Sequence, residues 1–168
     1  MNYSTPLTAL LLTASLFGCT SSSDHTISVP LKATQKNAGQ IANATLNAVD
    51  GETNFDFYLT GVPEGATLPL RIFTFVIKGS CQQPGSVAYD MNDRITTQRA
   101  AESGWTFYRS APIPLPDLLS GKYSILVRTT PEDGSVDIFC GDIAQAVRGD
   151  GCGLVKKGRD QVLRARRQ

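Results

Sequence analysis

Apolar and polar positions alternate in short blocks along most of the chain. Ile27, Val29, Leu31 and Ala33 recur at every second position. Phe55, Phe57 and Leu59 do the same against Asp56, Tyr58 and Thr60. Tyr123, Ile125 and Val127 repeat the pattern into Thr129. A period of two puts neighbouring side chains on opposite faces, so each block predicts a strand with one buried face. Ile41, Leu46 and Ala48 form a less regular segment that ends at Asp50-Gly51. That dipeptide tolerates positive φ and predicts a reversal between strands. Leu68 to Ile77 is almost continuously apolar, the pattern of a strand covered on both faces. Trp105 to Tyr108 predicts an aromatic strand, and Val136, Ile138 and Cys140 predict a strand returning from the turn at Asp133-Gly134. Pro112, Pro114 and Pro116 interrupt the ladder before Asp117, so this stretch reads as an edge or a loop. No long stretch before Ile143 holds a helical period. Short strands divided by turn signals predict an all-β antiparallel sandwich or flattened barrel over residues 27–143.

The chain opens differently. Residues 1–19 carry no charged side chain, and Leu7, Ala9, Leu10, Leu11, Leu12, Ala14, Leu16 and Phe17 form an apolar run. It is too short to span a membrane, which takes about 20 apolar residues, and it fits the apolar region of a secretory signal. The run ends Leu16-Phe17-Gly18-Cys19 and turns polar at Thr20-Ser21-Ser22-Ser23. This resembles the bacterial lipoprotein signal. The resemblance implies a signal peptide over 1–18, cleavage between Gly18 and Cys19, and acylation of Cys19, with residues 19–26 as lipidated cysteine and tether. Thr20 in place of an aspartate implies delivery to the outer membrane, with the domain in the periplasm or at the cell surface. One departure is that no Lys or Arg precedes the apolar run. Several acyl chains, at roughly 0.8 kcal/mol per buried CH₂, anchor a protein stably in the lipid bilayer.

Composition narrows the class. Of 168 residues, 41% are apolar and 18% charged, which excludes a disordered polar chain, a collagen and a multi-spanning membrane protein. Charge is segregated. Arg148, Lys156, Lys157, Arg159, Arg164, Arg166 and Arg167 face only Asp150 and Asp160 in the tail, residues 144–168. Such a run is ordinarily a solvated segment, here with a short helix expected from Asp160. Its functional reading is contact with an anionic envelope component. Nucleic acid is not expected as a partner.

Four cysteines and one histidine, His25, carry most of the chemical information. An exported chain lives where disulfides persist. With Cys19 assigned to lipid, Cys81, Cys140 and Cys152 remain. Cys81 with Cys140 is the expected pair, Cys140 with Cys152 the alternative, and the odd thiol is free or pairs between molecules. Gly61-Val62-Pro63-Glu64-Gly65, the strand from Leu70 to Ile77, Gly79-Ser80-Cys81 and Phe139-Cys140-Gly141-Asp142-Ile143 together resemble the copper/zinc superoxide dismutase fold over roughly Gln40 to Ile143. Leu118-Leu119-Ser120-Gly121-Lys122-Tyr123 with Asp133-Gly134 also resembles the chordin-type (CHRD) domain. The resemblance implies a Greek-key sandwich and an intrasubunit disulfide between Cys81 and Cys140.

The same comparison argues against the family's chemistry. Where the copper strand carries His-x-His, this chain reads Arg71-Ile72-Phe73-Thr74-Phe75-Val76. The position of the substrate-steering arginine holds Asp137, which would repel superoxide. Copper redox chemistry needs imidazole-type ligands. The expectation is a metal-free relative with no cofactor and no catalytic residues: a non-enzymatic envelope lipoprotein with a structural or interaction role. The alternatives are a metal-binding or dismutase-related enzyme with unrecognised ligands, and a small-ligand binder using the aromatic strands. Asp90, Asn92 and Asp93 offer oxygens, but no EF-hand pattern surrounds them, and a self-capping turn is the plainer reading. Glu132 and Asp133 fall in a hairpin turn. Asn43-Ala44-Thr45 matches a glycosylation acceptor that a bacterial lipoprotein would not normally use. Phe73, Phe75, Trp105, Phe107 and Tyr108 are expected in the core.

Overall fold

A computed structural model describes residues 26–144. Gly18, Cys19, His25, Cys152 and the basic residues of the tail lie outside the described residues, and so do the cleavage, lipidation and tail readings attached to them.

Among the described residues, nine antiparallel strands form one curled, half-barrel sheet. They are β1 (Ile27–Ala33), β2 (Ala42–Val49), β3 (Glu52–Leu59), β4 (Ile72–Gly79), β5 (Pro84–Asp90), β6 (Gln98–Arg99), β7 (Trp105–Ala111), β8 (Tyr123–Thr129) and β9 (Asp137–Asp142). Their order across the sheet is β5-β4-β8-β9-β1-β2-β3-β7-β6. β1 is the seam: Ile27 to Leu31 pair with β2, and Lys32 and Ala33 pair with β9. The inward faces of both halves pack into one core containing Val29, Leu46, Phe55, Phe57, Ile72, Ile125, Ile138 and Phe139. Phe57 stacks on Phe107 with centroids 4.7 Å apart.

The strongest alternations give the cleanest strands. In β3, Phe55, Phe57 and Leu59 are buried and Asn54, Asp56 and Tyr58 face outward. Asp50 and Gly51 turn β2 into β3 with φ of 48° and 84°. The antiparallel all-β expectation therefore stands, with five differences of detail.

In β2 the buried positions are Ala42, Ala44 and Leu46, while Ile41 is 68% exposed. Small alanines fill the inward sites there because β1 and β3 supply the bulk, and that hid the period. β4 begins at Ile72 rather than Leu68, which is 65% exposed; Pro69 has no N–H to give a ladder. Phe73 and Phe75 on its outer side are half-buried rather than covered. In β9 both Ile138 and Phe139 are buried, because a register shift opposite Val127 and Arg128 inserts one residue and resets the phase. The proline-rich stretch leads into a short helix, α1 (Leu115–Ser120), whose Leu115 and Leu118 are buried. Proline is tolerated in a first helical turn because that N–H has no intrahelical partner. β5 and β6 were not expected: β5 is an edge strand, mostly exposed, and its Pro84-Gly85 start reads as a turn.

The segment 91–97 connects β5 and β6, the two outer edges of the sheet. It lies beside the start of β4: Ile72 N–H donates to Ile95 O at 2.8 Å, and Thr97 N–H to Leu70 O at 3.3 Å. Arg109 on β7 reaches across the same opening and donates from Nη2 to Ile72 O at 3.1 Å. Loop and guanidinium thus link the β7 edge to β4.

Candidate functional site

The outer faces of β2, β3 and β7 form the floor of an open groove of about 660 Å³, within the usual range for small-molecule sites. Its geometry follows from register. Asn47 pairs with Asn54, and Asn54 with Ser110, so these three side chains run in a row across three strands. Two residues along, Asp56 pairs with Tyr108 and forms a second row on the same face. Met91, Asp93 and Arg94 form a wall, and Arg109 contributes from the opening at the end of β7.

The wall is fixed to the sheet. Asn92 Oδ1 accepts the Thr74 N–H at 2.7 Å. Asp90 Oδ1 accepts the Asn92 N–H at 3.0 Å and also takes the Asn92 side-chain amide. These residues form the self-capping turn expected for them. Among the described residues, no group of three or more His, Cys, Asp and Glu side chains comes together as a metal site.

Two charges in the groove have lost hydration. Burial raises the Asp56 carboxyl above its ordinary value, and Asn47 Nδ2 donates to its Oδ2 at 3.4 Å. Burial lowers Arg109 to about 10. Arg109 is 7% exposed and is the one charged side chain in the buried set of described residues. It forms no carboxylate pair among them. Nη1 donates to Tyr108 O at 2.7 Å, the guanidinium lies 4.5 Å from the centroid of the Phe107 ring, and Nε is buried without a partner. By contrast, among the described residues the side chains of Asn54, Asp93, Arg94 and Ser110 are bound to no other side chain or backbone group, which leaves them available to a ligand.

Other singled-out residues lie elsewhere. Cys81 and Cys140 are joined, with S–S 2.09 Å and Cα–Cα 5.8 Å; the bridge ties the β4–β5 turn to β9 and does not line the groove. Cys81 N–H donates to Asp142 Oδ1 at 2.7 Å. Asp133 Oδ1 accepts from Thr67 N–H at 2.9 Å and Thr67 Oγ1 at 2.6 Å, which holds its carboxyl below the ordinary range. Asp137 pairs with Arg128, and that hydrogen bond raises the Arg128 guanidinium further. Of the five aromatic residues expected in the core, Phe107 is buried, Phe73, Phe75 and Trp105 are half-buried, and Tyr108 is 72% exposed in the groove.

Tyr108 corrects that expectation for a simple reason. Phe107 faces inward, so a period of two sends Tyr108 out and brings Arg109 in. The same alternation carried the signal for Arg109, a charge at an inward position between Phe107 and Ala111. Nothing in the sequence brought Asn47, Asn54 and Asp56 together with Ser110, because their adjacency depends on the β3–β7 pairing. No family model, curated protein or solved structure matches this chain.

Proposed function

We propose that the chain is a non-enzymatic, lipid-anchored module of the bacterial cell envelope, built on a metal-free superoxide dismutase-like Greek-key sandwich. The observation that supports the sandwich in this reading is the strand order, while the anchor rests on the residues around Cys19. One half of the sheet runs β1-β2-β3-β7-β6 and the other β5-β4-β8-β9, so the chain crosses between halves after β3, after β5 and after β7. Repeated crossings of this kind support the Greek-key part of the reading. The bond from the β4–β5 turn to the last strand falls where the resemblance implies it.

The absence of dismutase chemistry rests on residue types. In β4, Ile72, Thr74 and Val76 point into a filled apolar core and Phe73 and Phe75 point out. The single histidine of the chain, His25, precedes the first strand. Cys19 is the lipidation site in this reading, with Gly18 on the other side of the cut. The lipid anchors the domain at the outer membrane, and the basic residues of 144–168 meet an anionic envelope component.

Cys19→Ala is the test of the anchor. Radiolabelled palmitate should label the native chain and not the variant, and the variant should move from the membrane to the soluble fraction. Unchanged labelling or membrane retention refutes the anchor. Stoichiometric copper or zinc in the purified full chain, or turnover of superoxide, refutes the metal-free reading.

A further inference from the structure

We propose that the groove on β2, β3 and β7 binds a neutral oligosaccharide, with Tyr108 as the stacking platform and Asn54, Ser110, Asp56 and Arg94 as hydrogen-bonding partners of its hydroxyls. This rests on the reading of the chain as a recognition module rather than an enzyme.

The argument begins with the aromatic ring. Tyr108 is the most exposed large apolar side chain among the described residues. A flat ring held in the open offers an apolar face to the C–H side of a pyranose, and its hydroxyl stays in water. The ring belongs to a strand whose flanking residues, Phe107 and Arg109, are both buried, so its base is held rigidly. Ordering it on binding costs little side-chain entropy.

The polar groups beside it suit hydroxyls. Asn54 offers one planar acceptor and two donors, and Ser110 one donor and acceptor. Both lie one row from Tyr108 on the same face and are free of other partners among the described residues. The Asp56 carboxylate, cross-strand from Tyr108, is partly removed from water. A desolvated carboxylate gains more from a hydroxyl donor than a solvated one does.

Charge chooses a neutral ligand over a polyanion. Asp56 and Asp93 balance Arg94 and Arg109 within the groove, so the surface attracts neither sign at long range. Shape chooses an extended ligand over a compact one. The groove is open and lies along a sheet face, and among the described residues none closes over it. Its two rows lie two residues apart along the strands, roughly 7 Å at about 3.4 Å per residue, so a ligand that touches both rows spans more than one ring.

The experiment titrates the full chain, held in a detergent without a sugar headgroup, with chitotriose, cellotriose and maltotriose. Binding is read from backbone and side-chain amide resonances. At least one trisaccharide should give saturable shifts centred on Tyr108, Asn54 and Asn47. Tyr108→Ala should weaken that binding about tenfold or more, and the fold survives because the side chain is exposed. Ser110→Phe, also at an exposed position, should block the groove. Val87→Ala, on the opposite edge strand, should leave the affinity unchanged. Absence of binding by all three sugars, or binding that survives both groove variants, overturns the site and leaves the anchored-module reading standing. Release of shorter sugars during the titration overturns the non-enzymatic reading and leaves the site standing.

Discussion

Replacing both bridged cysteines, Cys81→Ser with Cys140→Ser, should remove a large part of the stability of the fold. The two residues are 59 apart in sequence. On the chain-entropy relation, closing a loop of that length in the unfolded chain contributes on the order of 4 kcal/mol. Small domains are stable by about 5–15 kcal/mol in total, so the double variant should sit near the edge of folding. With a urea slope of about 2 kcal/mol/M, the unfolding midpoint should fall by about 2 M. The slope itself should rise, because the uncrosslinked chain exposes more surface when it unfolds.

The assay is equilibrium urea unfolding of the full chain, followed by circular dichroism, with and without reductant. Reduced native protein and the double serine variant should have the same midpoint within error. Peptide mapping of the oxidised protein should recover Cys81 linked to Cys140. A midpoint shift below about 0.5 M would refute the cross-link as a main source of stability. Recovery of Cys140 linked to Cys152 would refute the pairing itself.

Three further predictions test local physics. Gly141→Ala should destabilise the domain by about 1–3 kcal/mol, measured by the same unfolding curve: an added Cβ meets Leu31 Cδ2 at 2.5 Å and the backbone oxygen of Pro30 at 2.7 Å, where β9 passes the seam strand. Asp133→Asn should flatten the acid limb of stability. The Asp133 carboxyl is held below its unfolded value, so its contribution is full above about pH 4 and fades as pH falls through the lower, folded pKa; melting temperatures between pH 2 and 5 read this directly, and an unchanged limb refutes it. Asp56→Asn should raise the melting temperature at pH 7. Burial disfavours the Asp56 charge in the fold, and the gain should vanish below about pH 4, where the carboxyl is neutral in both states.

How much of this was legible follows from how locally each feature is determined. β3 could be read because large residues mark its inward sites and polar ones its outward sites. β2 could be placed before its turn but its facing could not be read, because its inward sites hold Ala42 and Ala44, and an alanine says little about which way it faces. The bulge at Ile138 broke the phase of β9, and a period count cannot anticipate an inserted residue. β5 showed no alternation because, as an edge strand, it has little to bury. The groove was the least legible feature. Asn47 and Asn54 face each other across the β2–β3 turn, but Ser110 is far off in sequence and joins their row only through the β3–β7 pairing. Arg109 left a local signal that the sequence reading passed over: a charge in phase with Phe107 and Ala111 is an anomaly in the alternation.

That anomaly and the groove have one structural origin. The solvated face of an antiparallel sheet carries the polar side chains of the alternation, and their length sets the height of that face. Here every member of the two rows except Tyr108 is short: Asn47, Asn54, Asp56 and Ser110. Short side chains leave the floor low. The height comes from the segment after β5, which must cross from one sheet edge to the other and therefore raises Met91, Asp93 and Arg94 beside that floor. Beside this crossing Ile72 O faces the opening, and Arg109 donates to it. The buried guanidinium is thus the closure of the half-barrel as well as one end of the groove. A substitution of Arg109 disturbs both at once, and a test of recognition has to rest on Tyr108 and Ser110, whose side chains take no part in closing the fold.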